Sequence, residues 1–296
     1  GEISVQWARC ELNTHVSHVG PATHEVGSGA GSFGTLFFLA GEYCSMIFSG
    51  KVAVVTGAAK GIGKAVAARF ADAGAHVAVV DVDAVCGEET AAAIRSAGGS
   101  AVFFPCDVSS EADVCRTLDA VTGIFGVPDI LVNDAAVQLN KPLLETTADE
   151  FRRVLDVNLT GTFLCTKAVA QRMIAEGKGG TVVNFSSTFA VVGSPGYLAY
   201  HASKGAIASF TRAAAVALMP HGIRVNAVAP GTVDTPGLYD GARDTGDTEK
   251  GLAGFLKLQP LGRFGTPDEI ARVVLMLASD ETSFVYGAVW MADGGY

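Results

Sequence analysis

A run of branched apolar residues at 51–56 (KVAVVT) breaks off at Gly57. Two more glycines, Gly61 and Gly63, lead from it into an alanine-rich amphipathic stretch at 62–73. Few chain geometries accommodate that order. A short, continuously apolar run predicts a strand buried on both faces, and a helix opening one tight turn later predicts a parallel βαβ unit. Glycines there let the backbone turn sharply and approach a pyrophosphate, while the helix start offers unpaired N–H groups and a positive dipole end. Thr56-Gly57-Ala58-Ala59-Lys60-Gly61-Ile62-Gly63 is therefore read as a phosphate-binding turn, with Gly57, Lys60, Gly61, Ile62 and Gly63 at the ligand. A second formal match, GAGSFG at 29–34, follows no apolar run and is read as accidental.

The same rhythm recurs along the chain. Apolar runs at 76–81 (HVAVVD), 101–106 (AVFFPC), 129–133 (DILVN), 181–185 (TVVNF), 223–229 (IRVNAVA) and 287–291 (GAVWM) alternate with helical patterns. The helices are expected at 84–97, 148–176, 198–218 and 267–279, with another opening at Ser109/Ser110. Right-handed crossovers then give an α/β fold, a doubly wound parallel sheet with helices on both faces. The stretch 236–262, punctuated by Gly, Asp and Pro, breaks the rhythm and reads as a long functional loop, a lid. One domain over 46–296 accounts for the whole pattern, and residues 1–45 read as an extension, flexible or non-native.

Composition narrows the partners. With 49% hydrophobic and 17% charged residues, the chain of 296 has ample material for a large core. A net charge of −9 and scattered Lys and Arg argue against nucleic acid, and no apolar segment reaches the roughly 18 residues of a membrane helix. The six cysteines form no CxxC pair and read as free thiols of a reducing compartment, by default the cytoplasm. Cys10, His15, His18 and His24 match no zinc spacing, so no metal site is expected.

Asp81 closes the second apolar run, where an acidic residue about 20 positions beyond the glycine turn takes the hydroxyls of an adenosine ribose. It would repel a 2′-phosphate and so favours NAD, whereas Lys60 pulls towards NADP. Asp107, just after the third run, suits either the adenine amino group or a surface turn. Tyr200 and Lys204 stand four positions apart on a predicted helix and share a face. Ser187 lies just past the fifth strand, at the end where open α/β sheets do their chemistry, and Asn158 sits inside the long helix 148–176. A tyrosine base at neutral pH needs its pKa of about 10 lowered by roughly 3 units, which one cation about 4 Å away supplies at an effective dielectric near 20. Lys204 is the candidate. His201 with Ser187 does not make a hydrolase, since no G-x-S-x-G elbow is present.

From about residue 46 to Tyr296 the chain resembles the classical short-chain dehydrogenase/reductase family. The resemblance rests on TGAAKGIG (56–63), the set Asn158-Ser187-Tyr200-Lys204, NAVAPGTVDT (226–235), PLGRFGTPDEIA (260–271) and DGG (293–295). One departure stands out: the family commonly carries Asn-Asn-Ala-Gly after the fourth strand, and this chain has Asn133-Asp134-Ala135-Ala136. The resemblance implies strand order 3-2-1-4-5-6-7, a homotetramer or homodimer, and hydride transfer between NAD and a secondary alcohol or ketone. It implies that Tyr200 is general base and acid, that Lys204 holds the nicotinamide ribose, and that Ser187 binds the substrate oxygen. Asn158 would anchor a relay water, and Val108, Asn133, Ala135, Pro230, Gly231, Val233 and Thr235 would line the cofactor. The pocket is expected from Phe189, Val191, Val192 and Tyr197, the loop 137–144, and Leu238, Tyr239, Leu252, Phe255 and Leu256 of the lid. Two alternatives share these residues: an NADPH-dependent 3-oxoacyl-thioester reductase, and a nucleotide-sensing protein without turnover.

Overall fold

The computed structural model describes residues 47–296. The expected extension 1–45, with GAGSFG, Cys10, Cys44 and the histidines 15, 18 and 24, lies outside the described residues, as does the domain start at 46.

Seven parallel strands form one sheet: β1 (Val52–Thr56), β2 (His76–Asp81), β3 (Ser100–Pro105), β4 (Ile130–Asn133), β5 (Gly180–Phe185), β6 (Ile223–Pro230) and β7 (Val289–Ala292). Their order is β3-β2-β1-β4-β5-β6-β7, the order the resemblance implies. The helices are α1 (Gly61–Asp72), α2 (Ala84–Ser96), α3 (Glu111–Phe125), α4 (Ala148–Leu155), α5 (Gly161–Ala175), α6 (Leu198–Leu218), α7 (Pro236–Arg243), α8 (Thr248–Lys257) and α9 (Pro267–Ala278).

Side chains alternate across each strand, so the sheet serves two cores. Ala53, Val55, Val77, Val79 and Val132 pack with Val66 and Phe70 of α1 and with Ile270, Val274 and Leu277 of α9. Val52, Val54, Val80 and Leu131 face the other way, onto Leu118 of α3, Val169 and Met173 of α5, and Ala215 of α6. Helices on both faces are what made these strands continuously apolar. Arg224, buried on β6, ties the end of α9 to the sheet. Its guanidinium donates to the carbonyls of Leu277, Ala278, Ser279 and Thr282 at 2.9–3.3 Å, satisfying groups a helix end leaves unpaired.

One expectation needs correction and another refinement. The stretch 236–262 is not a loop: α7 and α8 occupy most of it. Its glycines disguise the helices, yet two are required by close packing. A Cβ on Gly241 would lie 2.7 Å from Tyr197 Oη, and one on Gly251 2.8 Å from the Ala242 carbonyl oxygen. The helix 148–176 runs unbroken to Ala175, but not as one regular α-helix. A π turn, Asp156–Thr160, divides α4 from α5 and contains Asn158.

Candidate active site

A cleft of 930 Å³ opens along the carboxyl ends of the strands. It runs across β1 and β4, where the strand order reverses and open α/β sheets bind ligands.

At one end lie Gly57, Ala59, Lys60, Gly61, Ile62, Asp81, Asp83, Asp107 and Val108. The turn is tightly built. A Cβ on Gly57, which has φ +68°, would lie 2.7 Å from Ala135 N, and one on Gly63 would lie 2.8 Å from Asp134 Oδ2. Thr56 Oγ1 accepts from the N–H groups of Asp134 and Ala135, both at 3.2 Å, and locks β4 to this turn. The Asp81 carboxylate is aimed by backbone donors, Ala59 N–H at 3.0 Å and Asp83 N–H at 3.0 Å. Lys60 Nζ is engaged by Asp83 at 2.7 Å, which holds the Asp83 carboxyl down to about 2. Sequence reasoning missed this partner, since nothing local connects positions 60 and 83. Asp107 accepts from Ser109 N–H at 2.9 Å and Oγ–H at 2.7 Å, a turn that still leaves it on the cleft wall. A narrow glycine cradle under a helix N-terminus, with an aimed carboxylate beyond it, fits a dinucleotide.

At the other end Ser187, Phe189, Tyr197, Tyr200 and Lys204 converge, and Pro230, Gly231, Val233 and Thr235 face them. Gly231 must be glycine, because a Cβ would meet the Asp293 carbonyl oxygen at 2.7 Å, joining the PG and DGG motifs in space. Lys204 is buried and donates through Nζ to the Phe185 carbonyl at 2.8 Å. Its Nζ stands 5.3 Å from the Tyr200 ring centroid. Burial pushes the Lys204 ammonium down to about 8, against an upward pull from Asp134. Burial and then the Asp134 charge push the Tyr200 phenol up, while a hydrogen bond with Ser187 lowers it.

Other expected residues are placed differently. Asn158 is fully buried and does not line the cleft; its Oδ1 accepts from Val137 N–H at 2.8 Å. Its Nδ2 donates to the Val137 carbonyl at 3.0 Å and to Ser203 Oγ at 3.1 Å, so the side chain fixes the start of the 137–144 loop against α6. Asn133 is also buried away from the cleft, donating to Thr166 Oγ1 at 3.1 Å and Asn184 Oδ1 at 2.9 Å. Gly63 touches the turn from behind rather than lining the cleft. Ala135 lines it.

Val191, Leu143 and Leu144 are exposed, and neither Val192, Tyr239, Leu252 nor Leu256 lines the cleft. The wall is built from the expected Phe189, Tyr197, Leu238 and Phe255, from Val137 and Gln138 of the expected loop, and from Leu258. Gln138 belongs to the expected loop 137–144 and Leu258 to the expected lid 236–262, though nothing in the sequence singled out either residue. His201 braces this wall: its ring stacks on Phe189 at 4.4 Å and Nδ1 meets the Phe189 carbonyl at 2.7 Å. Tyr197 starts α6 at φ +61°, a conformation uncommon for a bulky residue, with its hydroxyl tucked beneath α7. Among the described residues no three His, Cys, Asp or Glu are grouped to hold a metal ion, and no helix is long and apolar enough to cross a membrane.

A family model described as "Enoyl-(Acyl carrier protein) reductase" matches residues 57–296. This chain belongs to the short-chain dehydrogenase/reductase family. Curated members of that family include a 2,5-dichloro-2,5-cyclohexadiene-1,4-diol dehydrogenase of Sphingobium indicum, 41% identical over 84% of this chain and 97% of that protein. A cis-4-hydroxycyclohexanecarboxylate dehydrogenase of Sinomonas cyclohexanicum is 42% identical, again over 84% and 97%. The crystal structure of levodione reductase superposes with a TM-score of 0.80 at 35% identity, covering 84% of this chain and 98% of that one. Short-chain dehydrogenases/reductases use nicotinamide cofactors, and this chain is an oxidoreductase of that family.

Proposed function

We propose that this protein is an NAD(H)-dependent dehydrogenase interconverting a secondary alcohol, of cyclic type, and its ketone. The observation that carries the reading is the meeting of Ser187, Tyr200 and the buried Lys204 at one end of the cleft, with Lys204 Nζ 5.3 Å from the Tyr200 ring centroid. A bound nicotinamide ring supplies a hydride acceptor or donor. Ser187 Oγ holds the substrate oxygen, and Tyr200 Oη takes the hydroxyl proton in oxidation and returns it in carbonyl reduction. Lys204 orients the cofactor ribose from the buried side and offsets phenolate charge. Asn158 acts as a positioning residue, fixing Val137 at the cleft wall.

NAD rather than NADP follows from Asp81 and Lys60. A carboxylate facing a 2′-phosphate at about 4 Å repels each phosphate charge by about 4 kcal/mol at an effective dielectric near 20. Lys60, the cation that would relieve it, is already paired with Asp83. The aromatic and aliphatic wall of Phe189, Tyr197, Leu238, Phe255 and Leu258 suits a compact apolar ring, and the ring alcohols named for the two relatives support that class. The exposed Phe284, Trp290 and Met291 near the edge strand β7 support self-association as a homotetramer or homodimer. The thiols of Cys86, Cys106, Cys115 and Cys165 support a reducing compartment, the cytoplasm.

A panel of cyclic secondary alcohols and ketones, with a 3-oxoacyl thioester beside them, tests the reading by nicotinamide absorbance with both cofactors. Turnover should prefer NAD(H), and Tyr200→Phe should lower it by at least about 100-fold. Preference for NADP(H), or turnover surviving in Tyr200→Phe, would defeat it.

A further inference from the structure

Asp134 stands where the family commonly carries asparagine, and the fold wedges its side chain into the glycine turn. Its Oδ2 lies 2.8 Å from where a Cβ of Gly63 would be, and its backbone packs against Gly57, whose Cβ would lie 3.0 Å from the Asp134 carbonyl carbon. The carboxyl thus faces the first turn of α1 and draws on the Gly63 amide, while also lining the cleft. Helix-start amides and the positive dipole end are what a pyrophosphate uses. A carboxylate already placed there competes for the same donors and repels the same ligand. The charged and titratable groups around it come from three elements: Gly63 N–H on α1, Lys204 and Tyr200 on α6, and Asp81 on β2. Lys204 and the Gly63 amide favour the anion, whereas burial and Asp81 oppose it more strongly, leaving the carboxyl pushed up to about 7. An amide at this position carries no such choice.

Resting on the reading of the cleft as a dinucleotide site, we propose that Asp134 makes dinucleotide binding proton-linked in this protein. One proton passes from solvent to the Asp134 carboxyl when a pyrophosphate enters the turn; no bond to carbon changes and no electron moves. Affinity then falls as pH rises above neutrality, by up to about tenfold per pH unit. The proton uptake also separates this chain from relatives with asparagine there, whose turn offers no titrating group.

ADP-ribose is the probe, because it carries the pyrophosphate without the nicotinamide charge. Titration calorimetry of the full chain at pH 8, in two buffers of different ionisation enthalpy, counts the protons bound. Wild-type protein should take up close to one, and Asp134→Asn clearly fewer, with a flatter pH dependence and tighter binding at pH 9. Equal uptake by both proteins would overturn the proposal and make Lys204 the source. Binding by wild type without proton uptake would overturn it alone, and that measurement stands even if the variant folds poorly. If ADP-ribose binds neither protein, the dinucleotide reading itself falls.

Discussion

The same substitution in two helices should give opposite results. Gly63 sits in the first turn of α1, and an alanine Cβ there would lie 2.3 Å from the Gly57 carbonyl oxygen and 2.8 Å from Asp134 Oδ2. Carbon–oxygen contacts begin at about 3.3 Å, so roughly 1 Å must be found. The turn has nowhere to give, because Gly57 already runs at φ +68° with Ala135 N against its own open side. Overpacking of this kind costs about 1–3 kcal/mol, or roughly 5- to 150-fold in an equilibrium constant. The loss should divide between stability and ADP-ribose affinity. Gly123, exposed on α3, has nothing within 4 Å of its missing Cβ. Alanine there should instead stabilise by up to about 1 kcal/mol through helix propensity. Urea unfolding and calorimetric titration of both variants read the difference. If Gly63→Ala keeps its midpoint and its affinity within twofold of wild type, close packing is not what shapes the turn.

Two further outcomes follow from buried charges. Arg224→Leu should destabilise the domain by about 3–5 kcal/mol, since it strands the carbonyls at the end of α9, and Arg224→Lys should recover only part; a loss under about 1 kcal/mol by urea unfolding would contradict this. Asp134 is pushed up from 3.8 to about 7, so the folded state holds an extra proton between those values and wild-type stability falls as pH rises through them. Asp134→Asn should therefore gain on wild type from near zero at pH 4 to at most about 4 kcal/mol at pH 8, lessened by the loss of a partner for Lys204. Parallel stability curves across that range would refute it.

What the sequence displayed was whatever depends on neighbours along the chain. Apolar runs marked β1 to β7 within a residue or two, and the glycine turn announced α1 because strand, turn and helix start are contiguous. Tyr200 and Lys204 were legible through helical spacing. Hidden were features fixed by distant contacts. Gly241 and Gly251 read as loop formers, yet they are glycine because Tyr197 and Ala242 approach them across α7 and α8. Lys60 looked free until the fold brought Asp83 to it. The resemblance implies a relay water at Asn158; that its amide also bonds Val137 and Ser203, neither a sequence neighbour, was not legible. The composition of the motif was visible; which side of the cleft wall each member stands on was not.

The π turn between α4 and α5 works as a phase shift. One residue more than an α-helix needs sets everything downstream about 100° further round the axis. Before the shift, Asp149, Arg152, Arg153 and Asp156 face the cleft; after it, Leu164, Cys165, Val169 and Met173 are buried against the sheet. A single helical run thereby presents a wet wall to the ligand and a dry one to the core. Deleting one residue within 156–160 would hardly shorten the run, but it would turn α5 out of mesh with the sheet while leaving α4 where it stands. Length in this segment is therefore constrained more tightly than composition.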